Sequence, residues 1–152
     1  MEISVYTDGS YSRKLKKAGF GVFFPNKELP DIAERFTEFP ITSQRAELYA
    51  ICYALYFITS NINFSKIIIY TDSEYSIKSV TEWIHTWMLN DWKGSNGKPV
   101  KNLDIIKNIF TYMKKYNGKI FFEHVKSHTK KNDIKSQNNE YVDKLAKFGM
   151  MK

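Results

Sequence analysis

Cysteine, histidine and long apolar runs are scarce in this chain, and each scarcity excludes a class of protein. Cys52 is the only cysteine in 152 residues, so no internal disulfide can form, and it has no partner at zinc-like spacing. No stretch approaches the ~20 apolar residues of a membrane-spanning helix. We therefore expect no membrane association and an intracellular, reducing compartment, the cytoplasm or the nucleus. Simple core packing is the favoured role for Cys52.

The sequence also lacks the marks of an export signal and of a multidomain chain. Met1 leads directly into the alternating, strand-like run Glu2 to Tyr6, without a charged start followed by an apolar stretch. We find no repeat, linker or low-complexity segment. A chain of 152 residues suits one hydrophobic core. We expect residues 1–152 to form a single domain.

Positive charge is what the chain has in excess. Lysine and arginine number 23 against 16 aspartates and glutamates, a formal net charge of +7. The excess is spread over residues 13–17, 93–101 and 126–135, so a basic surface would have to be assembled by folding. Such a balance favours a polyanionic partner such as nucleic acid, although charge alone is a weak signal.

The hydrophobic pattern predicts an α/β fold. A long helix starts near Thr42 or Ser43, its candidate N-caps, because apolar residues from Leu48 to Ile58 recur at helical spacing. The nearly unbroken apolar run Lys66 to Thr71 indicates a strand that is buried on both faces beside a parallel neighbour. Other strands are predicted at residues 3–7, 19–24, 32–39 and 119–125, and other helices after 72–73, at 102–116 and at 137–148.

Two of the predicted strands end in almost the same sequence, VYTDGS at residues 5–10 and IYTDS at 69–73. If the strands are parallel neighbours, Asp8 and Asp72 emerge together at the carboxyl edge of the sheet, where α/β proteins place their sites. The alternative for each residue is structural. Asp8 could shape a turn, and Asp72 could cap a helix.

Two further acids extend this possible site. Glu47 lies one turn into the long helix, and its alternative is an ordinary solvated glutamate. Asp143 is flanked by Val142 and Leu145 on the last helix, so it approaches the edge of the core, where like carboxylates are costly without a cation. Four acids without a histidine or cysteine cluster suit Mg²⁺ or Mn²⁺. Two such ions ~4 Å apart can hydrolyse phosphodiesters.

Five segments, in this order and spacing, resemble the cellular type-1 ribonuclease H family: Tyr6–Ser10, Gln44–Glu47, Tyr70–Ser73, Val125–His128 and Asp143–Ala146. The resemblance covers essentially the whole chain. It implies an α/β, RNase H-like fold with a mixed five-stranded sheet, three antiparallel strands and then two parallel, flanked by helices. It also implies an endonuclease that cuts the RNA strand of RNA/DNA hybrids by two-metal-ion catalysis, leaving 5′-phosphate and 3′-hydroxyl ends.

The resemblance also assigns roles to individual residues. Two Mg²⁺ ions, with Mn²⁺ as a substitute, would be bound by Asp8, Glu47, Asp72 and Asp143. His128 matches a loop histidine that helps proton transfer or product release; its alternative is a surface histidine in a basic loop. RNA-strand contacts are implied for Gly9, Ser10, Ser43 and Gln44, although Ser43 departs from the family's usual asparagine. DNA-strand contacts are implied for Thr42 and Asn102 in a phosphate pocket and for Tyr75, Trp87 and Ser95 in a channel.

The tryptophans, the basic segment and the choice of function each have an expectation or an alternative of their own. Trp83 and Trp87 lie four residues apart on a predicted helix, so core packing is their alternative. The Lys93 to Lys101 segment resembles the family's basic protrusion and should add salt-dependent affinity for phosphates. We expect a monomer without a separate hybrid-binding domain. A catalytically silent hybrid binder, or another enzyme on the same fold such as an integrase or a Holliday-junction resolvase, remains an alternative.

Overall fold

The computed structural model describes residues 1–127 and 132–152, which form one five-stranded sheet with helices on both faces. The strands are β1 (Glu2–Ser12), β2 (Lys17–Phe23), β3 (Ile32–Phe36), β4 (Lys66–Thr71) and β5 (Ile120–His124). The helices are α1 (Ser43–Asn61), α2 (Glu74–Lys78), α3 (Ile84–Leu89), α4 (Leu103–Lys115) and α5 (Ile134–Met150), and a π-helical turn at Ser79–Trp83 joins α2 to α3. No helix in these ranges is long and apolar enough to cross a membrane.

The strand order is β3-β2-β1-β4-β5, which confirms the predicted mixed sheet. The pairs β1–β2 and β2–β3 are antiparallel, whereas β4 runs parallel to both β1 and β5. The prediction that the third strand reaches Phe39 is wrong. Its last residue, Phe36, pairs with Ala18, and β2 begins only one residue before that partner, so at most one further pair could form and the ladder cannot reach Phe39.

One face of the sheet carries the larger core. Helix α1 packs on β1 and β2, and the apolar residues that predicted this helix, including Leu48, Ile51 and Leu55, are fully buried. Helix α4 packs against α1 from outside. Cys52 lies half-buried against this core, and burial raises the pKa of its thiol to about 11, as expected for a packing residue.

The other face is covered by α5, whose backbone lies directly on the sheet. A Cβ atom added at Gly21 would come within 2.8 Å of the Val142 carbonyl oxygen, and one at Gly19 within 2.1 Å of the Met150 amide nitrogen. Only glycine permits such close contact between helix and strand. Because Val142 precedes Asp143, the contact at Gly21 also fixes where Asp143 lies along the sheet.

Candidate active site

Asp8 and Asp72 lie side by side because β1 and β4 are parallel neighbours. Tyr6 pairs with Tyr70, so the two aspartates, each two residues further on, reach the same level of the sheet. Asp72 is not a helix cap. The cap of α2 is Ser73, whose hydroxyl accepts a hydrogen bond from the Ser76 amide at 3.1 Å. The duplicated strand endings therefore place two carboxylates at one edge.

Glu47 reaches the same edge through a close contact between α1 and β1. A Cβ atom at Gly9 would lie 2.5 Å from the Glu47 amide nitrogen, so any larger residue there would push the helix away. Carboxylate oxygens of Asp8, Glu47 and Asp72 all lie within 4.8 Å of one another. Three elements far apart in sequence thus bring three acids together.

Asp143 joins this group from the opposite side, on α5. It is not within the tight three-acid group, but it lines the same cleft, which has a volume of about 430 Å³. Its carboxylate forms an ion pair with Lys147 at 3.0 Å, and its proximity to Asp8 contributes to the raised pKa of Asp8. We call this space the carboxylate cleft; its lining also includes Gly9, Gln44, Ser73, Glu74, Tyr75 and Ser127.

The acids perturb one another strongly. Burial, followed by the charges of Asp72 and Glu47, raises the pKa of Asp8 to about 9. Burial also raises the pKa of Glu47 to about 7, against a hydrogen bond from Ser73 that lowers it. Such a group is costly when fully ionised unless a cation compensates the charge. The all-oxygen donor set and its crowding therefore fit a hard divalent cation such as Mg²⁺.

Asn139 belongs to the site, although the sequence analysis assigned it no role. It is buried, and its Nδ2 atom lies 3.4 Å from Asp72 Oδ2. Its Oδ1 atom has no hydrogen-bond partner among the described residues. The signal was its spacing, because residues four apart on a helix share one face and Asn139 lies four before Asp143.

The residues predicted to touch the RNA strand are only partly brought together. Gly9 and Gln44 line the carboxylate cleft. The Ser10 hydroxyl instead lies 3.9 Å from Met150 Sδ, and Ser43 is exposed at the first position of α1. Gln44 also lines the two neighbouring clefts described next, so it is shared by the whole surface.

Two more clefts adjoin the first and contain most of the residues predicted to touch the DNA strand. Tyr75 and Trp87 line one, together with Gly94, Asn96 and Lys98; Ser95 lies between two of these lining residues. Thr42 and Asn102 line the other, which we call the phosphate pocket. Asn102 Nδ2 donates a hydrogen bond to the Tyr75 hydroxyl at 2.9 Å, which links the two clefts.

The phosphate pocket has an exposed cation, Lys101, that the sequence analysis did not single out as an individual residue. Arg45 also lines the pocket, but it is buried and forms two hydrogen bonds to Asp104, at 2.8 and 2.9 Å. This pairing raises the pKa of Arg45 and lowers that of Asp104. Lys101, which is exposed, lines both this pocket and the channel beside Trp87.

Trp83 is not a core residue, so the core-packing interpretation is wrong for it. Its side chain is 40% exposed, and its ring lies 5.9 Å from Tyr75 and 6.0 Å from Trp87, centroid to centroid. Trp87 is half-buried, packs at the edge of the core and lines the channel. The three rings therefore form a continuous aromatic surface beside the carboxylate cleft.

His128 lies outside the described residues, so the prediction for it stays a prediction. The residue nearest to it with a defined position at the site is Ser127, which lines the carboxylate cleft. His124, at the end of β5, places Nε2 3.2 Å from the Asp72 carbonyl oxygen and 3.9 Å from the Glu74 carboxylate. The His124 ring therefore contacts the residues immediately before and after Ser73.

Sequence comparisons identify a family over nearly the whole chain. The family model described as RNase H matches residues 1–151. The chain is 42% identical over 130 residues to the probable ribonuclease H of Acanthamoeba polyphaga mimivirus, covering 84% of this chain and 56% of that protein. It is 40% identical over 148 residues to the ribonuclease H of Schizosaccharomyces pombe, covering 95% and 52%. The chain thus spans about half the length of these two curated relatives.

Other relatives match over most of their own length. The ribonuclease H of Rickettsia massiliae is 31% identical over 148 residues, covering 97% of this chain and 90% of that protein. The solution structure of the prototype foamy virus RNase H domain is similar at a TM-score of 0.78 and 26% identity, covering 98% and 94%. The foamy viral protease-reverse transcriptase in complex with an RNA/DNA hybrid is similar at a TM-score of 0.77 and 26% identity, covering 97% and 20%.

Proposed function

Since the chain belongs to the ribonuclease H family, we propose that it is an endonuclease that hydrolyses the RNA strand of RNA/DNA hybrids and leaves 5′-phosphate and 3′-hydroxyl ends. The observation that carries the proposal is the convergence of Asp8, Glu47 and Asp72 within 4.8 Å at the carboxyl edge of the sheet. A similar fold is known in complex with an RNA/DNA hybrid, which supports this choice of substrate.

Two Mg²⁺ ions, for which Mn²⁺ can substitute, are the cofactors that we propose. Asp8, Glu47, Asp72 and Asp143 would hold them. When bound, the ions supply an activated water on one side of the phosphodiester and stabilise the departing oxygen on the other. The raised pKa values of Asp8 and Glu47 support the proposal, because burial and the neighbouring negative charges raise them, and a bound cation would offset both effects.

The remaining residues of the site bind and orient the substrate. Gln44 lines all three clefts and carries both a donor and an acceptor, so it suits a ribose 2′-hydroxyl or a base edge. The aromatic surface beside the cleft suits a deoxyribose, which has no 2′-hydroxyl to clash with a ring. Lys101 would place its charge on a DNA-strand phosphate. His128 keeps its proposed role in proton transfer or product release.

Cleavage of a labelled RNA/DNA hybrid tests the proposal, with RNA/RNA and DNA/DNA duplexes of the same sequence as comparisons, all in Mg²⁺. We expect only the hybrid to be cut, and its RNA fragments to carry 5′-phosphate ends. Asp72→Asn should abolish cutting, whereas Asp31→Asn, the same change at an exposed residue outside the clefts, should not. Tight hybrid binding without cutting would instead identify a silent binder, and cutting of duplex DNA another enzyme of this fold.

We further propose that the chain acts as a monomer in a reducing intracellular compartment. Cys52 is half-buried, and burial raises its thiol pKa, so it is a poor candidate for a disulfide between two copies. Sedimentation velocity should give one species with the mass of a single chain, unchanged by a reducing agent. A dimer that persists under reducing conditions would contradict this.

A further inference from the structure

The turn between β1 and β2 carries a concentration of positive charge that the proposed reaction does not use. Arg13, Lys14 and Lys16 are exposed there, and Lys17 begins β2; we call residues 13–17 the cationic turn. No acidic residue occurs between Asp8 and Glu28 in the sequence. Within residues 1–127 and 132–152, none of the four cations forms an ion pair. Their charge is therefore not compensated by the fold.

The cationic turn has a defined shape. The β1–β2 ladder continues to the pair Ser12 and Lys17, so only four residues connect the strands. The Ser12 hydroxyl accepts a hydrogen bond from the Leu15 amide at 3.1 Å, and Lys16 adopts a φ of 52°. A short turn closed in this way holds its charged side chains close together at one end of the hairpin.

The cationic turn is a direct continuation of the strand that carries the site. Asp8 and Gly9 line the carboxylate cleft, and β1 runs on without interruption to Ser12. At a rise of ~3.3 Å per residue, Arg13 lies ~17 Å beyond Asp8 along the strand. That distance corresponds to about five nucleotides of one nucleic-acid strand. The basic segment Lys93 to Lys101 is a different element, which lines the neighbouring channel together with Gln44 and Trp87.

We propose that the cationic turn is a second phosphate-binding element, which holds the RNA strand of the hybrid about five nucleotides from the cleaved bond. The proposal rests on the proposed function and adds a contact to it. The RNA strand is the occupant because Gly9, at the start of the same stretch of β1, lines the cleft as a predicted RNA-strand contact. The enzyme would then hold its substrate with two separate basic elements, the DNA strand at the basic segment and the RNA strand at the turn.

The test compares two double variants with the same change of charge. Lys14→Gln/Lys16→Gln removes two charges from the cationic turn. Lys114→Gln/Lys115→Gln removes two from the end of α4, which leads into the first residue of β5 and so lies at the opposite edge of the sheet from the acids. Both are made in an Asp72→Asn background, so that binding can be measured in Mg²⁺ without cleavage.

Binding is measured to hybrids of about 8 and about 20 base pairs over a range of salt concentrations. For the long hybrid we expect the turn variant to bind roughly fivefold more weakly than the control. The magnitude of its slope of log affinity against log salt should be smaller by up to about 2. For the short hybrid the two variants should bind alike. Equal binding of the two variants to the long hybrid would overturn the proposal and leave the turn as a solvated surface.

Single-stranded extensions identify the strand. The short hybrid is extended by about 10 nucleotides of RNA alone or of DNA alone, at either end. One RNA extension should restore the difference between the turn variant and its control, and no DNA extension should. A difference restored only by DNA would overturn the assignment to the RNA strand. Failure of every protein to bind any hybrid would contradict the proposed function itself, which separates the two outcomes.

Discussion

The carboxylate cleft and the basic segment Lys93 to Lys101 lie next to each other but are built in opposite ways. The cleft is held by a strand pair and a helix, and Asp8 in it is only 4% exposed. The basic segment has no regular strand or helix before α4, apart from a single bridge between Lys93 and Pro99. Trp92, the residue before the segment, contacts α4: the Lys107 ammonium lies 4.4 Å from the centroid of the Trp92 ring.

This difference indicates how each region responds to change. Residues in the cleft are positioned by the core, so altering one of them displaces or removes a group on which the chemistry depends. Residues in the basic segment act through charge in water, where each contributes modestly and salt screens the effect. We expect the cleft to fail abruptly and independently of salt, and the segment to weaken gradually and with salt. Four predictions test this contrast.

The largest effect is expected for Glu47→Gln. The change keeps the size of the side chain but removes one of the proposed metal ligands, so kcat should fall by ~1,000-fold or more. The affinity for the hybrid should change little, because the binding surfaces remain. Single-turnover cleavage and a binding titration measure the two quantities. Glu2→Gln, at an exposed residue, is the matched control. A fall in kcat of comparable size in Glu2→Gln would contradict the contrast, and so would a fall in the kcat of Glu47→Gln that varies with salt.

Gly9→Ala should destabilise the fold as well as slow cleavage. The added methyl group would lie 2.5 Å from the Glu47 amide nitrogen, in backbone that cannot move aside without shifting α1. We expect a loss of ~3 kcal/mol in the free energy of unfolding, measured by denaturant titration. Gly94→Ala makes the same change in the basic segment, where the nearest atom is 3.3 Å away on the Asn96 side chain. If both variants lose the same stability, the two regions are not as different as proposed.

Asp8→Asn should stabilise the metal-free protein at high pH. A carboxyl group whose pKa is raised in the fold, here to about 9, contributes stability below its unfolded pKa and loses it as the pH rises toward the folded value. In EDTA the free energy of unfolding of the native protein should therefore fall between pH 5 and pH 9. The variant, whose residue 8 cannot ionise, should be more stable than the native protein at pH 8 by at least ~2 kcal/mol.

Thermal unfolding at pH 5 and pH 8, with EDTA or with Mg²⁺, measures this effect. At pH 5 the difference between native and variant proteins should shrink. Added Mg²⁺ should raise the melting temperature of the native protein more than that of the variant. Identical melting of the two proteins at pH 8 in EDTA would show that burial and the neighbouring acids do not raise the pKa of Asp8.

The smallest effect is expected for Lys93→Gln/Lys98→Gln in the basic segment. Binding of the hybrid should weaken roughly fivefold near physiological salt, and the slope of log affinity against log salt should fall by up to about 2. The kcat at saturating hybrid should stay the same. Lys114→Gln/Lys115→Gln again serves as the control. A fall in kcat that persists at saturation would mean that the segment takes part in the chemistry and would remove the contrast.

The order of elements and half of the cleft could be predicted from the sequence, because both depend on local patterns. Apolar periodicity identified α1, and the repeated endings of β1 and β4 placed Asp8 beside Asp72. Parallel pairing turns such a repeat into a spatial neighbour with no further information. The family resemblance supplied the remaining acids, and the residues themselves gave only weak reasons for Glu47 and Asp143.

The features that could not be predicted from the sequence depend on contacts between distant segments. The Arg45–Asp104 pair joins residues 59 positions apart, so no local pattern showed that Arg45 is neutralised and that Lys101 is the exposed cation of the phosphate pocket. Trp83 was misread because its helical spacing suits a core residue, whereas the π-helical turn that includes it changes which way the segment faces.

The close packing of α5 on β2 has a consequence for the fourth acid. Sliding the helix by one residue would turn Asp143 by about 100° around the helix axis and shift it by about 1.5 Å. The backbone contact at Gly21 leaves no room for such a slip, so this glycine sets the register of a helix, much as a hydrogen-bond ladder sets the register of a strand. The position of a proposed metal ligand could therefore be adjusted from β2, without altering any acidic residue.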